Sequence, residues 1–297
     1  MKYEIDYFTK KFKEMPKEID VLCLGTTNCH FAYDFQGTGI RGFNMGIFKN
    51  AFYNPYLLEK YGRRLSKNAV VLITLEYPFF LCDYRNPHLP EENIQYAKVL
   101  FGKDPRVSTG RQLIYRFFPY HFIKKPLFQG FVRNSVRNAT ENHMESQEVS
   151  HYSKFIITQG WEKETRFPYI LNYAEGRLSA TENVRMQENI MHVESLIRQI
   201  RGHGWRPALI GASYSREFNE LVPEGFRKDC FYHCISKIQD DMDVLFLDYS
   251  SGTEFDALDN YLDVWNLNEV GRVRFTNAVL SDLRQNNMLE GIEWEKK

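Results

Sequence analysis

The sequence predicts an α/β protein with a parallel central sheet of about five strands, covered by helices on both faces. Three observations predict it. Short, nearly continuous apolar runs recur along the chain, as strands buried on both faces require. Segments with helical spacing separate several of these runs and can serve as crossovers. The first run, residues 19–25 (IDVLCLG), ends in Gly, so the chain can turn sharply at the carboxyl edge of the sheet.

Residues 19–25 form the first strand in this reading, and residues 41–46 (RGFNMG) form a brief second strand or turn. Residues 55–65 (PYLLEKYGRRL) carry helical spacing with Pro55 at a first-turn position. Residues 69–75 (AVVLITL) are the clearest strand. Residues 181–203 alternate at helical period, with Val184, Ile190, Val193, Ile197 and Ile200 near one face, Thr181 as cap, and Gly202 and Gly204 as the stop. A fourth strand follows at 207–211 (PALIG), a helix at 227–240, a fifth strand at 244–247 (VLFL) and a closing helix at 268–283. Residues 78–180 break the alternation and read as a helical or irregular insertion in a single domain spanning residues 1–297. Within it, residues 111–133 interleave bases with aromatics, as a helical subdomain core or a sugar- or partner-binding surface would.

Composition narrows the function. The 297 residues are 43% hydrophobic and 26% charged, ordinary for a globular protein. Thirty-eight basic and 38 acidic residues cancel to a net charge of +0, so no global field favours nucleic acid or an anionic membrane as partner. No run approaches the roughly 20 apolar residues of a membrane span, and the first twenty residues are charged throughout rather than signal-like. Five cysteines without framework spacing suit a reducing compartment, and a cytoplasmic location is expected. There is no Walker loop, no dinucleotide fingerprint and no H-E-x-x-H helix, so no cofactor is expected. No metal site is expected either: Cys230, His233 and Cys234 (CFYHC) offer one cluster of ligand types, at a spacing that suits core packing on a helix face. The sequon Asn138–Ala139–Thr140 has little meaning without a secretory signal.

In an open parallel sheet the loops after the strands line the ligand crevice, so residues 25–28, 43–46 and 76–78 should converge. Thr27 and Asn28 then sit near a helix start, where backbone N–H groups face a bound group. At these residues the chain resembles the SGNH (GDSL-like) hydrolase superfamily, esterases and acyltransferases with a flavodoxin-like α/β/α fold. The segment LCLGTTNCHFAYD, residues 22–34, places Gly25, Thr26 and Thr27 where the family has its G-D-S or G-S-S block. Asn44, Met45 and Gly46 match the N-x-G block, whose Gly donates an N–H to the oxyanion. Residues 263–271 (DVWNLNEVG) match the last block, D-x-x-H-L-N-x-x-G, with Asp263, Leu267, Asn268 and Gly271 retained. The third block, G-x-N-D, has no counterpart: LITLEYPFF, residues 72–80, occupies its place, as in divergent glycan-associated branches.

The resemblance implies a triad at Thr27, Asn266 and Asp263, with Gly46, Asn44, Asn28 and Glu76 around it. Two of the three proton-handling positions are changed. A family Ser is activated by an imidazole that takes its proton, and an Asp orients that imidazole. Asn266 has no lone pair that titrates near neutrality. Thr27 keeps a hydroxyl but adds a methyl that stiffens χ1 and crowds the attack trajectory. Loss of a triad nucleophile or base lowers turnover by about 10⁶. The chain is therefore expected to be a pseudoenzyme that binds an acylated glycan, another small molecule or a partner enzyme in cell-surface polysaccharide metabolism.

Three alternatives keep catalysis open. Cys29 is a candidate thiolate at the helix start, or simply a packed small side chain; His30 adjoins it but diverges by about 100° on a helix. Glu76 is a candidate acid or base, or an Arg-paired carboxylate. Asp263 can also work with a His from the insertion: His88, His121, His143 or His151. An active esterase or O-acyltransferase would use Thr27 or Cys29 with such a displaced base.

Overall fold

The structure is a computed structural model that describes residues 10–46, 51–84, 168–252 and 254–292. Most of the insertion lies outside these residues, and with it the aromatic stretch 111–133, the sequon and the four candidate histidines.

Among the described residues five strands form one sheet: β1 (Ile19–Leu24), β2 (Gly42–Asn44), β3 (Leu65–Leu75), β4 (Arg206–Gly211) and β5 (Leu245–Asp248). Their order is β2-β1-β3-β4-β5 and every pairing is parallel. That is the doubly wound order of flavodoxin-like sheets. In register, Leu24 lies opposite Ile73 and Leu75 opposite Gly211, so the strand ends form one carboxyl edge.

Side-chain alternation builds the layers, because successive strand residues face opposite sides. Leu22, Leu24, Val71, Ile73, Leu75 and Leu209 meet one helical layer. That layer contains α2 (Asn54–Tyr61), α4 (Ala180–Gly202) and α6 (His233–Met242), through Leu57, Leu58, Ile190, Val193, Ile197, Ile200, Ile235 and Ile238. Val21, Cys23, Val70, Leu72, Ala208 and Ile210 face the other side, against α1 (Thr27–Ala32) and α7 (Glu269–Gln285), which contribute Cys29, Phe275, Val279, Leu280 and Leu283. The expected three layers are present. Each fully buried Val, Leu or Ile in them contributes about 1.5–3 kcal/mol of transfer free energy.

Element boundaries depart from the sequence pattern in instructive places. β3 starts at Leu65, not 69, because Leu65 pairs with Ile19 while Lys67 and Asn68 stay exposed. Backbone pairing extends the strand beyond its apolar run. The cap of α4 is Ser179 rather than Thr181: Ser179 and Glu182 form a capping box, and the Glu182 carboxylate accepts the Ser179 N–H at 2.5 Å. Val184 is 61% exposed and does not share the buried face of Ile190 and Val193. The helix expected over 227–240 begins earlier, at Glu224 after Pro223, and widens into a π-type stretch (Arg227–Tyr232) before α6. Two short helices carry too little periodicity to be read from sequence: α3 (Pro168–Ala174) and α5 (Arg216–Leu221), the latter capped by Ser215 Oγ accepting Phe218 N–H.

The described ends of the insertion rest on the first layer. Asn189 Nδ2 of α4 donates to the Phe80 and Cys82 carbonyls, both at 2.9 Å, and Tyr173 Oη of α3 donates to Asp229 Oδ2 at 2.7 Å. Among the described residues no helix is long and apolar enough to cross a membrane.

Candidate functional site

The chain runs from β1 outward to β2 and then back across the sheet to β3, so the strand order reverses between β1 and β3. Crevices of doubly wound sheets lie at such reversals, outside the carboxyl ends. The loop after β1 and the end of β3 meet there.

Gly25 closes the turn out of β1. A Cβ at this position would lie 2.6 Å from Cys29 Cβ and 3.0 Å from the Thr74 carbonyl oxygen, so Gly lets α1 pack directly on β3. Thr27 is the first residue of α1 and is half-buried. With six residues, α1 adds only a short dipole to its start. Asn28 is 6% exposed and ties three segments together. Its Nδ2 donates to the Trp265 carbonyl at 3.0 Å, and its backbone N–H lies near enough to the Glu76 carboxylate to favour the charged form. The first-block and last-block loops and the end of β3 are thereby joined, as the sequence reading expected of the first and third.

Asn44 and Gly46 stand against α1 from the other side. Asn44 Nδ2 donates to the carbonyls of Cys29 (2.7 Å) and His30 (3.1 Å), and Asn44 Oδ1 accepts the Gly46 N–H at 2.8 Å. A Cβ on Gly46 would come within 2.5 Å of His30 N. These residues therefore staple the β2 loop to α1, and the Gly46 N–H is engaged by Asn44. An oxyanion role for Gly46 would require that bond to be shared or released. His30 Nδ1 lies 3.2 Å from the Gly46 carbonyl oxygen and 3.4 Å from Lys11 Nζ, whose ammonium burial pushes down to about 8.

The last block folds into a tight loop held at its base. Leu262 N–H donates to the Asn266 carbonyl at 2.8 Å, and Tyr261 bridges Leu267 in antiparallel fashion. Inside the loop, Asp263 Oδ1 accepts the N–H groups of Trp265 (3.1 Å) and Asn266 (2.7 Å), and Asp263 Oδ2 accepts Asn266 Nδ2 at 2.8 Å. The Asp that would orient an imidazole thus orients an amide. Because Oδ2 only accepts, the Asn266 NH₂ must face it and Oδ1 must point away. That Oδ1 is buried and has no partner among the described residues. The retained Asn and Gly have structural tasks. Asn268 caps α7 by accepting the Gly271 N–H at 2.9 Å, and a Cβ on Gly271 would lie 2.1 Å from the Asn260 carbonyl oxygen.

Glu76 follows β3 at the crevice. The residue is partly exposed, but its Oε1 is buried without a partner among the described residues. Desolvation raises its carboxyl from an ordinary 4.5 to about 7, against a smaller opposing effect of the Asn28 N–H. The titratable groups that face it are Cys29 on α1, Cys82 and Tyr84 beyond β3, and Tyr214 after β4, all held neutral at pH 7 by burial. No cation among the described residues is recorded as its partner, so the Arg-paired reading gains no support.

A raised carboxyl destabilises the fold once it ionises. Between 4.5 and about 7 the unfolded chain loses this proton before the folded one, so stability falls as pH rises through that window. Allowing for partial exposure, Glu76→Gln is expected to gain about 1–2 kcal/mol over the parent at about pH 8 and nothing below about pH 4.5, as read by urea denaturation.

Over β3 and β4 the edge is filled. Tyr77 and Tyr214 stack with ring centroids 4.5 Å apart, Tyr214 Oη accepts the Tyr77 N–H, and Tyr77 Oη donates to Asn219 Oδ1 at 2.9 Å. Ser213 Oγ and Tyr261 Oη are 2.6 Å apart. Of the seven buried side-chain atoms without a partner among the described residues, three, Thr26 Oγ1, Glu76 Oε1 and Asn266 Oδ1, belong to the loops after β1 and β3 and to the last block.

The cysteine candidates are inert by their surroundings. Cys29 is fully buried and its thiol is pushed up to about 12, mainly by desolvation, which favours the packed small side chain over the helix-start thiolate. Cys230 and Cys234 are buried in the apolar core with thiols near 12, whereas His233 is exposed. Sequence reasoning missed the Thr26 hydroxyl, buried without a partner among the described residues, and Lys11 beside His30. The Thr26–Thr27 doublet was the only signal for the former.

No protein-family model matches the chain, and no curated protein matches it.

Proposed function

We propose that the chain is a divergent SGNH-like protein whose β1/β3 crevice binds an acylated glycan, or a partner enzyme of cell-surface polysaccharide metabolism, without serine-esterase turnover. One observation carries the reading: Asp263 Oδ2 holds the Asn266 amide at 2.8 Å, in the relation an orienting Asp has to a catalytic imidazole. An amide so placed accepts hydrogen bonds but takes up no proton near neutrality. The Thr27 hydroxyl then lacks the base that the family's mechanism supplies through this loop. The strand order and the placement of Gly25, Asn268 and Gly271 at close contacts also support the resemblance. The cytoplasmic reading is supported by all five cysteines being free.

A second reading, an active carbohydrate esterase or O-acyltransferase with a displaced base, draws on Glu76, whose carboxyl titrates near 7 at the same crevice. A panel of aryl acetates and O-acetylated sugars separates the two. The parent chain and Thr27→Ala are expected to give the same background rate on every substrate. Turnover that disappears in Thr27→Ala would establish the second reading instead.

A further inference from the structure

Hydrolysis of an ester demands donors at the reacting carbonyl, because negative charge grows on its oxygen. The atoms left over at this crevice are instead two acceptors and, in Thr26, a hydroxyl that can donate or accept. Asn266 Oδ1, Glu76 Oε1 and Thr26 Oγ1 are buried side-chain oxygens with no hydrogen-bond partner among the described residues. Asn266 and Thr26 are only 5% and 4% exposed as residues. A buried polar atom left unpaired costs about 1–3 kcal/mol, so three around one crevice call for a common occupant. The fold places them together: Leu24 pairs with Ile73, so Thr26 and Glu76 leave the carboxyl ends of adjacent strands, and the Asn28 side chain, two residues beyond Thr26, reaches the carbonyl of Trp265, the neighbour of Asn266.

We propose that Thr26, Glu76 and Asn266 form a subsite for the hydroxyl groups of a neutral saccharide, which donate to Glu76 Oε1 and Asn266 Oδ1 and share a hydrogen bond with the Thr26 hydroxyl. This rests on the binding function proposed above and names the part of the ligand that is recognised, the sugar hydroxyls rather than the acyl carbonyl. An acyl oxygen brings no donor, and the Gly46 N–H expected for it is bonded to Asn44. An anionic group would meet the carboxyl groups of Glu76 and Asp263, and Asp263 already receives three N–H groups. A hydroxyl donates one hydrogen bond and accepts others, so adjacent ring hydroxyls can satisfy Asn266 Oδ1 and Glu76 Oε1 and still accept from Thr26.

The test uses the full chain labelled with carboxyl-¹³C Glu and side-chain ¹⁵N Asn. Methyl glucoside, methyl galactoside, methyl mannoside and N-acetylglucosamine are titrated in turn, with sodium acetate and ethyl acetate as acyl probes. At least one saccharide is expected to shift the Glu76 and Asn266 signals together and saturably, and neither acyl probe is expected to do so. Asn266→Leu should weaken that saccharide at least about tenfold, the loss of one good hydrogen bond. Unchanged near-ultraviolet circular dichroism shows that the variant is folded. The proposal is overturned if no saccharide moves both signals, or if acetate or ethyl acetate moves them instead. Failure here leaves the absence of Thr27-dependent turnover standing, because that is read by hydrolysis and not by binding.

Discussion

Thr27→Ser combined with Asn266→His is expected to hydrolyse p-nitrophenyl acetate about 10³-fold faster than the parent chain. Restoring a complete triad is worth about 10⁶. An oxyanion donor that is already committed removes about 10²–10³ of this, and the Gly46 N–H is committed to Asn44 Oδ1 at 2.8 Å. The geometry of the last block favours the replacement. Histidine Nδ1 and asparagine Nδ2 are both one bond beyond Cγ, so an Nδ1–H can donate to Asp263 Oδ2 where Asn266 Nδ2 does now. The single changes should stay at background, since nucleophile and base act as a unit. If the folded double variant also stays at background, the β1 turn and the last-block loop do not face each other as an esterase requires.

Asp263→Ala should be the most destabilising single change at the site, by about 3–5 kcal/mol in urea denaturation. It strands three buried donors, the Trp265 N–H, the Asn266 N–H and Asn266 Nδ2, in residues no more than 8% exposed. Each unsatisfied donor costs about 1–3 kcal/mol, less whatever the loop recovers by opening to water. The effect should reach beyond the loop, because the Asn28 side chain bonds the Trp265 carbonyl and Ser215 N–H bonds the Val264 carbonyl. A loss under about 1 kcal/mol would mean that the carboxylate does not organise the loop.

The sheet was legible because its strands are buried on both faces. AVVLITL has no polar side to confuse its period, and each of residues 69–75 is buried. What was not legible depended on pairing or on short range. Lys67 and Asn68 belong to β3 because Leu65 pairs with Ile19 and Val70 with Val21, a register break that no local pattern encodes. α5 has six residues, fewer than two turns, so no periodicity could build up.

At the site, sequence spacing brought Gly25, Asn28, Glu76 and the D-V-W-N loop to one edge, but it could not assign their tasks. Asn44 reads as a binding residue and is found tying the β2 loop to the backbone of α1. Gly271 reads as a family marker and is required by the Asn260 carbonyl oxygen against it. Thr26 reads only as the middle residue of the first block, because an unpaired hydroxyl is a property of three-dimensional surroundings, invisible in residue order. The orientation of the Asn266 amide likewise follows only once Asp263 Oδ2 is seen beside its NH₂.

The account turns on whether Thr27 is an activated nucleophile, and a fluorophosphonate probe reads that property without knowledge of any substrate. Such probes phosphonylate hydroxyls whose proton a neighbouring base accepts. After incubation and intact-mass analysis, the parent chain should carry no adduct, while the folded Thr27→Ser/Asn266→His variant should be labelled once. An adduct mapped to Thr27 in the parent would contradict the account and place a working base beside it.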